Sequence, residues 1–108
     1  MFHVGGSVTM TLGCIACQGT QVLLTEFSVD AMLDALARYR VSLTMAVPTM
    51  LVAILENPKL ARTDLSALST IVVGGSAVAP GLVRRVREQL GAEVSALMGQ
   101  TEASGAMF

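Results

Sequence analysis

Apolar residues recur at helical spacing over several stretches of the chain. The clearest case predicts a helix over residues 28–40, with Ser28 as a natural N-cap. Its predicted buried face repeats at i, i+3, i+4 and i+7 and consists of Val29, Met32, Leu33 and Leu36. A further helix is predicted over residues 5–18, with Ser7 as its N-cap and Gly19 just beyond its end. The inward stripe of that helix is predicted to be Val8, Leu12, Ile15 and Ala16.

Proline and glycine positions predict two more helices. Pro48 and Pro80 each suit the first turn of a helix, where the missing N–H costs nothing. The first of these helices is expected to end at Asn57-Pro58, and the second at Gly91. Residues 59–68 are polar enough to form the connection between two regular elements.

Short apolar runs rich in β-branched residues lie between the helices. They predict strands over residues 20–24, 41–47, 69–73 and 93–98. Alternating helices and strands predict an α/β fold with a mostly parallel sheet and flanking helices. Right-handed crossovers would bring the strand ends to one edge. That edge would gather Val47-Pro48-Thr49, Gly74-Gly75-Ser76-Ala77 and Met98-Gly99-Gln100-Thr101-Glu102.

The last of these corners carries the most suggestive chemistry. Thr101 and Glu102 directly follow a predicted strand, and ligands bind at this edge of open α/β sheets. A hydroxyl and a carboxylate beside free backbone N–H groups suit a phosphate and its Mg²⁺. The alternative is an ordinary turn, in which Thr101 caps a following helix and Glu102 lies in its first turn.

The composition indicates an interior piece of a larger domain. Of the 108 residues, 53% are hydrophobic and only 14% are charged, against roughly 25% charged in an ordinary domain. We therefore expect exposed apolar faces, covered by further protein or by self-association. The apolar runs are shorter than the ~20 residues of a membrane-spanning helix, and no secretory signal is visible.

Charged residues give no sign of a nucleic-acid partner. The formal net charge is -1, and the densest basic cluster consists of Arg84, Arg85 and Arg87. These arginines lie on the polar face of a predicted helix, where a solvated face is the simplest interpretation. Contact with the phosphates of a bound ligand is the alternative.

Cys14 and Cys17 have the C-x-x-C spacing of a redox pair or of half a zinc site. A structural zinc site needs about four ligands, and His3 is the one histidine of the sequence. Two buried core thiols are therefore the preferred interpretation. The sequence holds no other cysteine and hence no disulfide framework, which is typical of the reducing cytoplasm.

Gly99-Gln100-Thr101-Glu102 resembles the Gly-x-Thr-Glu core motif of the adenylate-forming, or AMP-binding, enzymes. That superfamily includes acyl-CoA synthetases, aryl-CoA ligases, luciferases and peptide-synthetase adenylation domains. Further stretches resemble it in the same order: Met1-Phe2-His3-Val4-Gly5-Gly6, Val47-Pro48-Thr49-Met50, Asp64-Leu65-Ser66 and Gly74-Gly75-Ser76-Ala77. The resemblance implies that residues 1–108 are part of one subdomain of a larger adenylation domain, incomplete at both ends.

The resemblance also implies an activity for the full-length parent, an ATP-dependent acid–CoA ligase. A carboxylate would be activated with ATP to an acyl-adenylate and passed to coenzyme A. Glu102 would associate with Mg²⁺ and Thr101 would contact the phosphate, so both are the expected catalytic residues. ATP or AMP would be bound by Gly75, Ser76, Ala77, Met98, Gly99, Gln100 and Thr101. The carboxylic acid would be bound by His3, Gly74 and Gly75.

Two departures from the family pattern qualify this expectation. Met98 stands where the family usually has an aromatic residue that stacks on adenine. The family's phosphate loop and its catalytic lysine have no counterpart in the sequence, so the isolated chain is expected to be inactive. The alternatives are a peptide-synthetase-type adenylation domain and a non-catalytic interaction module. A different Rossmann-like nucleotide module would need Gly-x-Gly-x-x-Gly after the first strand, which is absent.

Overall fold

The computed structural model describes residues 3–103 and the backbone of residues 105–107. The chain begins with a π-helical segment, Gly5–Met10, which continues into helix α1, Thr11–Ala16. The later helices are α2 (Val29–Arg38), α3 (Pro48–Glu56) and α4 (Pro80–Leu90), with 3₁₀ turns at Pro58–Arg62 and Thr101–Ala103. The strands are β1 (Leu43–Ala46), β2 (Thr70–Val73), β3 (Glu93–Ala96), β4 (Met98–Gln100) and β5 (Gly105–Met107).

Three of these strands form a parallel sheet in the order β1-β2-β3. Ala46 pairs with Val73, and Val73 with Ala96, so the three strands end level with one another. Helices α3 and α4 form the two crossovers and pack against each other. Two right-handed crossovers in the same direction place both helices on one face of the sheet. The predicted α/β class with a mostly parallel sheet is therefore confirmed.

The core lies between that sheet face and the helices. Ile71 and Val73 of β2 are fully buried, as are Leu51 and Ile54 of α3 and Val86 of α4. Helix α2 packs on α3 and buries Met32, Leu33 and Leu36, three of the four residues predicted from its periodicity. Its predicted cap is also present, because the Ala31 N–H donates to Ser28 Oγ at 3.4 Å.

The opposite face of the sheet is only partly covered within the described residues. Met45 and Val72 are half-buried there, and Leu43 is exposed. A strand without hydrophobic–polar alternation, such as residues 69–73, is expected to be covered on both faces. Because both crossover helices lie on the other side, β2 instead alternates between buried and half-buried residues.

The predicted strand over residues 20–24 is wrong. The segment has no regular structure, and Leu23 and Leu24 are 59% and 42% exposed. A strand needs a neighbour to accept and donate its backbone hydrogen bonds. No such neighbour runs beside this segment in the part of the chain that the structure describes, so β-favouring residues alone do not make it a strand.

The first helix differs from the prediction in its cap, its end and its apolar face. Ser7 is not its N-cap: the Ser7 hydroxyl donates to the His3 carbonyl at 3.0 Å from inside the helix. The positive φ at its end falls on Gln18, at 53°, rather than on Gly19. The predicted buried stripe is also wrong, because Leu12, Ile15 and Ala16 are exposed and Val8 is only half-buried.

Exposed apolar side chains are numerous, as the composition predicted. They include Leu12, Ile15, Leu23, Leu24, Phe27, Tyr39, Leu43, Val47 and Met98. Most come from the first helix, from the segment that follows it and from the end of α2 and β1. No described helix is both long and apolar enough to cross a membrane. The exposed apolar surface is thus spread over several helices and loops, and the three-stranded sheet is too small to bury it.

Candidate functional site

A cleft of about 460 Å³ lies at the carboxyl edge of the parallel sheet. Its lining comes from residues 3–5 and 9, 45–47, 74–75, 97 and 99–102. The ends of β1, β2 and β3 therefore open into one space together with the start of the first helix. This is the convergence of the three strand-end corners that right-handed crossovers predicted.

The corner after β2 requires glycine at two positions for different reasons. A Cβ on Gly74 would lie 2.9 Å from the backbone oxygen of Leu97, so only glycine lets the ends of β2 and β3 approach this closely. Gly75 has φ of 86°, a conformation that other L-residues rarely adopt. Both glycines line the cleft, whereas Ser76 and Ala77 are exposed and lie outside its lining.

The corner after β3 is a hairpin rather than a simple continuation of the strand. The predicted strand 93–98 breaks at Leu97: β3 ends at Ala96, and Met98 belongs to β4. Strand β4 pairs with β5 in antiparallel register, for example Gly99 with Ala106. Sequence reasoning missed this hairpin, because each of its strands is only three residues long.

This hairpin brings Gly99, Gln100, Thr101 and Glu102 to the cleft. Thr101 and Glu102 are exposed and lie in the 3₁₀ turn after β4. Thr101 thus starts a single short turn rather than the longer helix of the alternative interpretation. Met98 is 67% exposed and is not part of the cleft lining, so this adenine-stacking candidate lies outside it.

His3 has a structural role that its sequence context did not reveal. Its Nδ1 accepts the Gly5 N–H at 3.1 Å, and its carbonyl accepts the N–H groups of Gly6 and Ser7. The neutral imidazole therefore carries its proton on Nε2. Because His3 also lines the cleft, it offers a hydrogen-bond donor there while it caps the helix.

Other lining residues were not predicted. Thr9 and Val4 come from the first helix, and Met45 and Leu97 come from strand ends. The π-helical winding of residues 5–10 contains an extra residue per turn, so the 3.6-residue periodicity misjudges which side chains face the sheet. No sequence signal distinguishes Met45 or Leu97 from ordinary core residues.

The donor groups of the cleft fit a nucleotide-bound Mg²⁺ rather than a metal held by protein alone. Glu102 supplies one exposed carboxylate and Thr101 one hydroxyl. Among the residues described, no group of three or more His, Cys, Asp or Glu side chains could hold a metal ion. Mg²⁺ commonly uses one or two carboxylates plus water and substrate phosphates, so a single carboxylate is consistent with that mode.

The sequence also predicted the surroundings of the two cysteines and of the arginine cluster, which both lie outside the cleft. Cys17 is exposed and Cys14 is half-buried, so the expectation of two buried core thiols is wrong. Arg84 and Arg87 are exposed, Arg85 is half-buried, and Arg87 forms an ion pair with Glu93 at 2.8 Å. The solvated-face interpretation of the basic cluster is thereby supported.

The sequence matches the AMP-binding enzyme family over residues 1–108. The chain belongs to the AMP-binding enzyme family. It is 34% identical over 102 residues to an indoleacetate–CoA ligase of Aromatoleum aromaticum, which covers 94% of this chain and 20% of that protein. It is 40% identical over 112 residues to 4-coumarate–CoA ligase-like 5 of Oryza sativa subsp. japonica, covering 99% of this chain and 20% of that protein.

A solved coenzyme A synthetase structure shares the fold. The O-succinylbenzoate coenzyme A synthetase of Bacillus subtilis, in complex with ATP and magnesium ion, superposes with a TM-score of 0.83 at 28% identity. The match covers 97% of this chain and 21% of that one. The chain thus spans about a fifth of the length of the curated relatives it matches. The family resemblance read from the sequence motifs is confirmed.

Proposed function

We propose that this chain is part of an acid–CoA ligase, which activates a carboxylate with ATP to an acyl-adenylate and transfers the acyl group to coenzyme A. The observation that carries the proposal is the single cleft into which all three strand ends and the first helix open. The relatives' names, indoleacetate–CoA ligase and 4-coumarate–CoA ligase-like, support this class of reaction. The peptide-synthetase alternative has no comparable support.

The phosphate end of the cleft is assigned to Thr101 and Glu102. The Thr101 hydroxyl would donate to a phosphate oxygen, and the Glu102 carboxylate would hold the Mg²⁺. Mg²⁺, when bound, would neutralise charge on the phosphates during attack by the carboxylate. Both side chains follow a paired strand, which limits their movement and helps to position the reacting groups.

The nucleotide would lie along Gly75, Gly99 and Gln100, where the two glycines leave backbone open to a planar ring. Ser76, Ala77 and Met98 flank that lining, and they are proposed to contact the nucleotide from the rim. Met98 offers a polarisable thioether, which makes a weaker ring contact than an aromatic side chain.

The acid end is assigned to His3, Gly74 and Gly75. With Nδ1 occupied by the Gly5 N–H, the imidazole would donate from Nε2 to an oxygen of the substrate carboxylate. Such a bond orients the acid, and it does not require His3 to act as a base. Met45 and Leu97 would supply an apolar wall beside it.

The test is Glu102→Gln in the full-length ligase that carries this sequence, with ATP–pyrophosphate exchange as the assay. We expect a loss of about 10²–10³-fold in the Mg²⁺-dependent rate, the usual cost of removing one group that stabilises charge in the transition state. Glu93→Gln is the matched control, because Glu93 is an exposed carboxylate that only pairs with Arg87 at the far end of β3. Its rate should not change. An unaltered rate in Glu102→Gln would remove that residue from the mechanism.

We further propose that the exposed apolar surface is covered by the remainder of the adenylation domain, and that the enzyme is cytoplasmic. The exposed Leu12 and Ile15 of the first helix and Phe27 after it support covering protein, and two free thiols support a reducing compartment. The isolated chain should then self-associate on size exclusion. A clean monomer would contradict the proposal that further protein covers this surface.

The isolated chain should also show no ATP–pyrophosphate exchange above background.

A further inference from the structure

Two free thiols lie at the C-terminal end of helix α1, outside the cleft described above. Cys14 lies in the last turn of the helix, and Cys17 is its C-cap. Cys17 is exposed and Cys14 is half-buried, so both are open to solvent. Neither belongs to the lining of the cleft.

The backbone around the two thiols is held by a closed set of hydrogen bonds. The Gly19 N–H donates to the Cys14 carbonyl at 2.7 Å, and the Gln18 N–H donates to the Ile15 carbonyl at 3.1 Å. These two bonds are the Schellman pattern that ends a helix. The Cys17 N–H completes the set with a bond to the Gly13 carbonyl at 3.0 Å. The two cysteines therefore keep the i, i+3 spacing of a helical turn.

That spacing favours a metal bridge over a disulfide. Residues i and i+3 on a helix have Cβ atoms about 5–6 Å apart. A disulfide requires a Cβ separation of about 3.5–4.5 Å, which is shorter than the usual separation at this helical spacing. Two thiolates on one metal ion, each with a bond of about 2.3 Å, need their sulfurs only within about 4.6 Å of each other. The Cys14 thiol also donates weakly to the Thr20 carbonyl at 3.9 Å, which directs it towards the end of the helix where Cys17 lies.

We propose that Cys14 and Cys17 form a binding site for a soft, low-coordinate metal ion of the Cu(I) type. Zinc is disfavoured, because no third His, Cys, Asp or Glu joins the pair among the residues described. Soft thiolates select Cu(I), which does not demand four ligands. Met10 lies four residues before Cys14, one helical turn away, and its thioether is a third soft group on the same side of the helix. Binding would release the two thiol protons to solvent.

The test is a competition titration of the whole chain with Cu(I), under reducing conditions and against a chromophoric Cu(I) chelator. We expect one Cu(I) per chain. Cys14→Ser and Cys17→Ser should each weaken binding by roughly a hundredfold or more, because each removes the chelate. Met50→Leu is the control for adventitious binding to a methionine thioether elsewhere in the chain, and it should bind like the unsubstituted chain. Zn(II) should bind far more weakly than Cu(I).

A second measurement needs no substitution. Bound Cu(I) should protect both thiols of the unsubstituted chain from alkylation, and mass spectrometry counts the modified residues. The proposal is overturned if either serine variant binds Cu(I) as tightly as the unsubstituted chain. It is overturned equally if both thiols alkylate at the same rate with and without Cu(I), or if the chain forms a Cys14–Cys17 disulfide in air in preference to binding the metal.

Discussion

Gly74→Ala should destabilise the chain, although Gly→Ala usually stabilises it. The added Cβ would lie 2.9 Å from the Leu97 backbone oxygen and 3.7 Å from the Leu97 Cβ. Neither atom can move as a flexible side chain would, because the Leu97 N–H donates to the Val73 carbonyl at 2.8 Å. The ends of β2 and β3 must therefore separate.

The magnitude follows from three terms. Overpacking of this kind costs about 1–3 kcal/mol, and weakening the bond from the Leu97 N–H adds about 0.5–1.5 kcal/mol. The reduced entropy of the unfolded chain offsets about 0.4–1 kcal/mol. We expect a net loss of about 0.5–4 kcal/mol in the free energy of unfolding, with a central value of about 2 kcal/mol. At about 4–8 °C per kcal/mol for a domain of about this size, the central value lowers Tm by about 8–16 °C.

The assay is urea unfolding followed by far-ultraviolet circular dichroism, with Gly13→Ala as the matched control. Gly13 lies in helix α1, and a Cβ there would meet nothing within 4 Å. The same chemical change should therefore stabilise the chain by about 0.5–1 kcal/mol. The two variants thus have predicted effects of opposite sign. A Gly74→Ala chain as stable as the unsubstituted one would refute the close contact between the ends of β2 and β3.

Two further predictions concern the helix ends and the acid limit of stability. Gln18 and Arg40 have φ of 53° and 49°, a left-handed conformation that glycine adopts more easily than other residues. Gln18→Gly and Arg40→Gly should therefore each raise the free energy of unfolding by about 0.5–1 kcal/mol, measured by urea titration. A loss of stability in both variants would contradict this. Hydrogen bonds from the backbone and then the hydroxyl of Ser66 lower the pKa of Asp64 below 3.8, with a further contribution from Arg40. The ionised Asp64 carboxylate therefore stabilises the fold at pH values above its pKa in the unfolded chain. This stabilisation is lost as the pH falls through the pKa of Asp64 in the folded chain. Asp64→Asn should therefore flatten the dependence of Tm on pH below about pH 4, and an unchanged slope would exclude the effect.

Elements with local causes were predictable from the sequence alone. Ser28 caps α2, Pro48 and Pro80 start α3 and α4, and Gly91 ends α4 in the left-handed conformation. Each depends on atoms within about one turn of the residue concerned, and those atoms are adjacent in the sequence. The alternation of these helices with apolar runs was enough to predict the parallel sheet and the edge to which its corners converge.

Tertiary structure alone decided which apolar segments found a partner. Residues 20–24 have β-favouring composition but no neighbouring strand, whereas the shorter β4 forms because β5 returns alongside it. Leu12 and Ile15 are likewise exposed, although their spacing predicted a buried helix face. The cleft depends on such contacts too: the approach of Gly74 to Leu97 joins residues from two different strands. Hydrogen bonding and burial between distant segments depend on where the chain returns, and periodicity in the sequence carries no information about that.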